Sequence, residues 1–467
     1  MTVAISLRST SIPGLQVIDL DLRGDNRGWF KENWQRQKLL DLGLEDFGPV
    51  QNNVSFNRVA GATRGIHAEP WDKLVSVATG RVFGAWVDLR AGDSFGRVFT
   101  LELGPETAVF VPRGVGNAFQ TLVDETAYSY LVNDHWSPAA KESYTFVNLA
   151  DETLAIRWPI PLEQAELSQA DREHPRLGDV VPMPGRRTVI LGAAGQLGRA
   201  LCEALPDAVP VTRNELDLSD PAAVAAFDWQ GVGVVLNAAA YTAVDQAETE
   251  EGRRAAWATN VAAVRELVLA ARRHRLTLVH ISSDYVFDGV RETHDEDEPF
   301  SPLGVYGQTK AAGDALVAAH DAHYLIRTSW VIGDGRNFVR TMASLADRGV
   351  TPGVVDDQFG RLTFTSEIVR AVQHLLEVGA PFGTYNVTNS GPTMTWADIA
   401  GQVFQARGVG ADAVQRVSTE DYGAGKALAP RPRHSTLSLD RITATGFQPT
   451  DAAEALKGYL DDLPNAP

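Results

Sequence analysis

Hydrophobic and polar positions change rhythm once along the chain, near residue 187. Before it, short apolar runs are broken by Gly, Pro, Asn and Asp, as in "KLVSVATGRVFGAWVDLR", "GRVFTLELGPETAVFVPRG" and "TAYSYLVNDHWSP". Runs of that length bounded by turn formers predict strands, and their close spacing over residues 1–150 predicts an all-β barrel or jelly roll. Residues 151–174 are mixed. "HPRLGDVVPMPGRR", 174–187, is rich in Pro, Gly and charge with little helical period, which predicts an interdomain linker. From Arg187 onward "RTVILGAAGQLG", "AVPVTRNELDL", "GVVLNAAAY", "TLVHISSDYVF" and "HYLIRTSWV" read as strands separated by helical stretches such as "AAWATNVAAVRELVLAARRH". Strand–helix alternation predicts a doubly wound parallel sheet of Rossmann type, and the mixed C-terminal stretch a small substrate lobe. The expected organisation is two domains, 1–180 and 187–467.

Length agrees, since 467 residues exceed one core. A net charge of -17 argues against broad nucleic-acid or anionic-membrane binding, so any nucleotide must be met by local arginines. The single cysteine, Cys202 in "GRALCEALP", permits no intramolecular disulfide and reads as a buried helical thiol. "MTVAISLRSTSIPG" lacks the apolar core of a leader, and no apolar run is long enough to span a bilayer, so a soluble cytoplasmic protein is expected.

The chemistry of the second half is compact in sequence. "GAAGQLG" places Gly192, Gly195 and Gly198 between a strand and a helix, with Gln196 and Leu197 at the helix start. Glycines there let backbone N–H groups approach a pyrophosphate at the positive helix end. The next strand ends in "TRNELD", with Arg213 where an NAD-selective fold usually carries an acid. This suits a 2′-phosphate and hence NADPH, with NADH as the alternative; a solvated surface arginine is the plain alternative. Asp217 in the same stretch, and Ala238 and Ala239 in "LNAAAY", complete the expected cofactor-binding set. "VYGQTK" puts Tyr306 and Lys310 one helical turn apart, so the lysine is expected to lower the phenol's pKa and make it a usable acid. Ser283 in "ISSD" ends a strand, where a substrate oxygen can be met.

The stretches "GAAGQLG", "LNAAAYTAVDQAE", "HISSDYVFDG", "PLGVYGQTK", "LIRTSWV", "DDQFG", "YNVTNSGPTMTWADIA" and "RPRHSTL" closely resemble dTDP-4-dehydrorhamnose reductases of the extended short-chain dehydrogenase family. The resemblance implies that Tyr306 protonates the C4 oxygen of a ketosugar while NAD(P)H delivers hydride to C4. It implies that Lys310 holds the nicotinamide ribose and tunes Tyr306. Trp330 and Arg431 fall in substrate-contact segments. In "FGRLTFT", Leu362 stands where the family usually has proline.

A reductase of this kind needs a ketosugar with its configuration already set. A C4 ketone acidifies the C3 and C5 hydrogens, and an enzyme acting there needs a base for carbon, a cation for the enolate oxygen and an acid on the opposite face. "RGIHAEPWDK" offers His67 and Lys73 for the first two; alone, each reads more simply as a structural histidine and a solvated lysine. "GDNRGWFKENW", "QNNVSF", "RGIH", "VFGAWVDLR", "FGRVFTLEL", "VFVPRGVGNAF", "WSP" and "ELSQADREHP" resemble, in order, dTDP-4-dehydrorhamnose 3,5-epimerases, which are cupin-like jelly-roll dimers. This resemblance implies that His67 is the base, oriented by Asp171, that Lys73 stabilises the enolate, and that Arg64 and Arg27 hold the pyrophosphate. Glu32, Gln51, Asn53 and Trp136 fall in its substrate-binding segments, and a homodimer through this domain follows. The family needs no metal. His67 and Glu69 look faintly like a metal pair, but no second histidine follows at cupin spacing.

Two positions depart from the family: Asn117 replaces a histidine, and Trp136 in "DHWSP" replaces the catalytic tyrosine. An indole N–H is no practical acid. In an unbroken strand Tyr128, Tyr130 and Trp136 share a face, which makes Tyr130 the first candidate for the missing acid. His135 serves only if a bulge turns it inward, and a held water is the third option. The alternatives to double epimerisation are a single-site epimerase making another dTDP-6-deoxyhexose, or a sugar-nucleotide-binding module without chemistry.

Overall fold

Strand alternation in the first part of the chain closes into an antiparallel sandwich. The computed structural model describes residues 5–463 and divides after Gly185 into two units; Met1–Ala4, part of the stretch read for a leader, lie outside the described residues. In the first unit a six-stranded sheet runs Ser6–Ser9, Gln16–Asp19, Thr107–Val111, Lys73–Thr79, Thr126–Val132, Gln51–Asn57. A five-stranded sheet runs Thr145–Phe146, Thr63–Ala68, Val115–Thr121, Val82–Asp88, Val98–Leu103. Their inner faces meet in one core, with Val75, Val77, Val109 and Tyr128 from the first sheet against Trp86, Leu103 and Phe119 from the second. This is the jelly-roll arrangement expected from the pattern. A separate hairpin, Leu22–Asp25 and Gly28–Lys31, stands outside both sheets with its side chains largely exposed.

The stretch 174–187 is not the free linker its composition predicts. Asn148 N–H donates to the Pro175 carbonyl at 2.8 Å and Met183 N–H to the Leu89 carbonyl at 2.7 Å. Leu177, Val180 and Met183 pack with Ile66, Val87 and Leu154 in a second apolar layer. Three apolar residues at a spacing of three, hidden among Pro and Gly, anchor it to the sandwich.

The second unit has six strands, Arg187–Leu191, Val209–Val211, Val232–Asn237, Thr277–Ser283, His323–Thr328 and Gly383–Asn386, in spatial order 2-1-3-4-5-6 with every neighbour parallel. Val189, Leu191, Val235, Leu278 and Leu325 face one core and Ile190, Leu236, Val279 and Ile326 the other. Helices therefore cover both faces, as a parallel sheet requires. The order reverses between strands one and three, which opens a crevice at their carboxyl ends. The long helix expected around residue 260 is interrupted by a π turn, Ala258–Ala262. There the buried Asn260 amide donates to Thr309 Oγ1 at 3.0 Å, while its Oδ1 accepts from Tyr241 N–H at 2.8 Å. The break ties this helix to the one carrying Tyr306. A smaller lobe gathers Phe364, Val403, Phe404 and Leu456 into its own core. No helix among the described residues is long and apolar enough to cross a membrane.

Candidate active sites

The sandwich holds a cavity of about 700 Å³ lined by His67, Lys73, Arg64, Tyr130, Tyr144 and Asp171, among others. His67 lies on the strand Thr63–Ala68. Two residues before it, Gly65 has a positive φ of 129°, and a Cβ there would lie 2.5 Å from the Ala118 Cβ, so only glycine lets this strand approach its neighbour. His67 Nε2 is 2.9 Å from Asp171 Oδ1 across 104 residues of sequence. Asp171 is itself placed by the short helix Gln169–Glu173, whose Ser168 cap accepts from Asp171 N–H at 3.1 Å. Burial pushes the Asp171 carboxyl up, but hydrogen bonds from His174 and His67 outweigh it and hold the group well below the usual carboxylate range. For His67, burial outweighs the Asp171 contact and lowers the imidazole. With Nε2–H given to the carboxylate, the basic lone pair is on Nδ1.

Lys73 is buried in the middle of the six-stranded sheet, in contact with Glu69, its ammonium 6.0 Å from the Tyr130 ring centroid. Burial lowers the ammonium to about 7. Tyr128 donates to Asn117 Oδ1 at 3.0 Å, so the asparagine that replaces a histidine fixes this phenol. Tyr130 is half-buried; burial raises its pKa and Arg64 opposes the rise.

Several expected residues lie elsewhere. The strand ends at Val132, so the unbroken strand assumed through Trp136 does not exist. Trp136 nevertheless reaches the cavity from the following loop, 55% exposed, while His135 does not line it. Gln51 accepts from Trp136 N–H at 3.2 Å and bonds Asn53, beside the cavity rather than lining it. Arg27 and Glu32 are carried by or next to the exposed hairpin, paired with Asp25 and Lys38, away from the lining. Conversely, Tyr144 and His174 line the cavity unforeseen. His174 is 3.3 Å from Asp171 and stacks on Phe146 at 4.6 Å. Its i,i+3 spacing from Asp171 is the signal that was available. His67, Asp171 and His174 together form a set of the kind that can hold a metal, with a second histidine arriving from outside cupin spacing.

In the second unit a crevice of about 300 Å³ is lined by Gly192, Gly195, Arg213, Asp217, Ala238 and Ala239, among others. Gly192 has a φ of 76°, and a Cβ there would meet Ala239 N at 2.8 Å, so this turn stays bare of side chain. Gly195 caps the helix Gln196–Ala204, leaving its N-terminus toward the crevice. This cradle fits a dinucleotide pyrophosphate. Gln196, Leu197 and Gly198 form the first turn behind it: Gln196 donates to the Arg336 carbonyl, and Leu197 is in the core. Arg213 is exposed and 3.5 Å from Asp217.

Tyr306 and Lys310 lie on the helix Val305–Ala318, both buried. Tyr306 is hydrogen-bonded to Ser283, which donates in turn to Asp284 Oδ1 at 2.9 Å. The expected lowering of Tyr306 is not found: burial raises it, with Ser283 pulling the other way. Helical spacing brings the lysine near, but its Nζ donates to the Ile281 carbonyl at 2.7 Å and sits 3.4 Å from His280 Nε2. Burial lowers Lys310 itself to about 8. Trp330, at φ 46°, stacks on Trp396 at 3.8 Å, and Arg431 pairs with Asp245 at 2.8 Å; neither lines the crevice.

Fold and sites define a class: an acid–base cavity in a cupin-like sandwich, joined in one chain to a nucleotide-binding fold with a Tyr–Lys pair of short-chain dehydrogenase type. The chain belongs to the RmlD substrate binding domain family, whose model matches residues 186–465, and also to the dTDP-4-dehydrorhamnose 3,5-epimerase family, whose model matches residues 9–179. It is 54% identical over 177 residues to the protein called RmlC homolog of Streptococcus pyogenes, covering 37% of this chain and 89% of the relative. It is 38% identical over 291 residues to the dTDP-4-dehydrorhamnose reductase of Aggregatibacter actinomycetemcomitans, covering 58% of this chain and 97% of the relative. A solved dTDP-4-dehydrorhamnose reductase from Bacillus anthracis, in complex with NADP, matches with a TM-score of 0.55 at 33% identity, covering 59% of this chain and 99% of that one.

Proposed function

We propose that the chain acts twice on one sugar nucleotide. The first unit epimerises C3 and C5 of dTDP-4-dehydro-6-deoxy-D-glucose, and the second reduces the C4 ketone with NADPH, giving dTDP-L-rhamnose. The observation that carries this reading is the presence, in one chain, of the His67–Asp171 cavity in an epimerase-family unit and the Ser283–Tyr306–Lys310 group in a reductase-family unit.

In the first unit, His67 Nδ1 takes the proton from carbon and Asp171 steadies the imidazolium that forms. Lys73 faces the enolate oxygen, with the Glu69 carboxylate as its counter-charge. Arg64 serves the pyrophosphate. The opposite face is reprotonated by one of two phenols, Tyr130 or Tyr144, because Tyr128 is committed to Asn117. Trp136 stacks at the mouth. In the second unit, bound NADPH supplies the hydride. Ser283 and Tyr306 meet the C4 oxygen, Tyr306 gives it a proton, and Lys310 holds the cofactor's ribose. Arg213 supports the choice of NADPH over NADH once its contact with Asp217 opens. Trp330 and Arg431 serve the sugar nucleotide. Enolate epimerisation is reversible, whereas reduction is downhill, so each reduction draws the epimer forward.

The first unit supports a homodimer. The hairpin exposes Trp29 and Phe30, and the edge strand Gln51–Asn57 exposes Val54 and Phe56. In a dimer the hairpin carries Arg27 and Glu32 toward the second copy's cavity, with Gln51 and Asn53 beside it. The substrate, the cofactor and the strong negative charge suit a cytoplasmic enzyme with no nucleic-acid or membrane partner.

Trp136 in the catalytic tyrosine's place favours one second reading, epimerisation at a single carbon. The full chain bearing Tyr306→Phe, incubated with the 4-ketosugar in D₂O, tests both. Deuterium at C3 and C5 without reduction supports the main reading. Label at one carbon supports the second, and no label at all with His67 intact leaves the first unit a binding module.

A further inference from the structure

Behind the Tyr306–Lys310 pair, the buried residues Asn237 and His280 form a hydrogen-bonded chain whose direction can be read. Ala239 N–H donates to Asn237 Oδ1 at 3.2 Å. That fixes the amide, so Asn237 Nδ2 is the donor to His280 Nδ1, 2.9 Å away. Nδ1 is therefore an acceptor, and a neutral imidazole must carry its proton on Nε2. Burial is the main cause that keeps His280 from taking a second proton, and Lys310 adds to it only while charged. The Nε2–H faces Lys310 Nζ at 3.4 Å.

An ammonium has three donors and no lone pair, so it sets N–H against N–H here. A neutral amine fits: its lone pair accepts from His280, and one hydrogen goes to the Ile281 carbonyl at 2.7 Å. We propose that His280 is a positioning residue of the reductase site, standing as the Nε2–H tautomer and favouring the neutral amine of Lys310 over its ammonium in the cofactor-free protein. This rests on the reductase reading and deepens it. Other groups around Lys310 pull both ways. On its own helix, Asp314 favours the charged form, but Arg327 on the neighbouring strand pairs with that carboxylate at 3.0 Å. Ser282 bonds Asp314, and Ser283 and Asp284 act on Tyr306, one helical turn from Lys310. In turnover, Tyr306 gives its proton to the C4 oxygen as hydride reaches C4. Lys310, charged with a proton from solvent, then returns it to the tyrosinate, and the neutral amine left behind is the form that His280 favours until solvent recharges it.

The direct test is ¹⁵N NMR of the histidine-labelled full chain without cofactor, with the His280 signals assigned by their loss in His280→Gln. A bare Nδ1 and protonated Nε2 across neutral and mildly alkaline pH are expected; the reverse tautomer overturns the proposal. The second readout is the pH dependence of NADPH binding and of kcat/KM. In His280→Gln the new carbonyl can accept from an ammonium, so the alkaline limb of both moves up by about one pH unit. Asn237→Asp, which turns the imidazole's bare Nε2 toward the lysine and assigns the signals if His280→Gln does not fold, moves it the same way. Lower rates or stability with unmoved limbs mean a merely structural histidine. The tautomer is read without substrate; if instead the wild-type chain oxidises no NADPH with the ketosugar, it is the reductase reading that falls.

Discussion

Both units bury a lysine near a phenol, and they treat it differently. In the sandwich, Lys73 touches the Glu69 carboxylate, and burial lowers its ammonium to about 7. In the parallel-sheet unit, Lys310 bonds a carbonyl and faces an imidazole, and Asp314, the carboxylate that favours its charge, is paired with Arg327. A lysine that stabilises an enolate must stay cationic while charge develops against it. A lysine that feeds a proton to a phenol must be able to give it up. Burial lowers both ammonium groups, to about 7 for Lys73 and about 8 for Lys310, and what differs is the partner: a carboxylate beside Lys73, a carbonyl and an imidazole beside Lys310.

The two sites are expected to work independently. His67→Asn is expected to cut solvent exchange at the sugar carbons by about 10²–10⁴-fold, the worth of a positioned general base, while reduction of an already epimerised ketosugar is unchanged. Loss of both activities contradicts the account. Tyr306→Phe is expected to cut NADPH oxidation by about 10²-fold or more with cofactor binding kept, measured by stopped-flow absorbance and by titration. Between the two phenols, Tyr144→Phe and Tyr130→Phe distinguish the acid: the one that supplies the proton slows label uptake by about 10²-fold, and the other has little effect.

Smaller effects sharpen the lysine contrast. Base catalysis by His67 needs neutral imidazole, so exchange is lost as pH falls through its lowered pKa. Charge on Lys73 is lost as pH rises. Glu69→Gln removes its counter-charge, so the alkaline limb of exchange moves to lower pH while the acid limb, set by His67, stays. An unmoved alkaline limb contradicts the role given to Glu69. Smallest is cofactor choice: Arg213→Ala is expected to lower the NADPH to NADH ratio of kcat/KM by about tenfold, the value of one exposed charge-assisted contact.

The second unit was the more legible in sequence because its chemistry is local. Gly192 to Gly198 is one turn and one helix start, and Tyr306 and Lys310 are one helical turn apart. Spacing of that kind carries geometry but not burial, so it misjudged the Tyr306 pKa. In the first unit His67 and Asp171 were found through family motifs, since 104 residues separate them and no local rule joins them. Tyr144 follows a loop without strand alternation, and His174 sits in a stretch whose composition mimics a linker; each reaches the cavity through tertiary packing alone. Arg27 and Glu32 were placed in the site by motif, yet the hairpin carries them away from the cavity of their own chain.

One chain that epimerises and then reduces the same sugar leaves both steps written in its product. The wild-type chain, given dTDP-4-dehydro-6-deoxy-D-glucose and NADPH in D₂O, tests it by NMR of the isolated product. The account requires dTDP-L-rhamnose with deuterium at C3 and C5 and protium, from the cofactor, at C4. A reduced product of unchanged configuration, carrying no deuterium at either carbon, contradicts it.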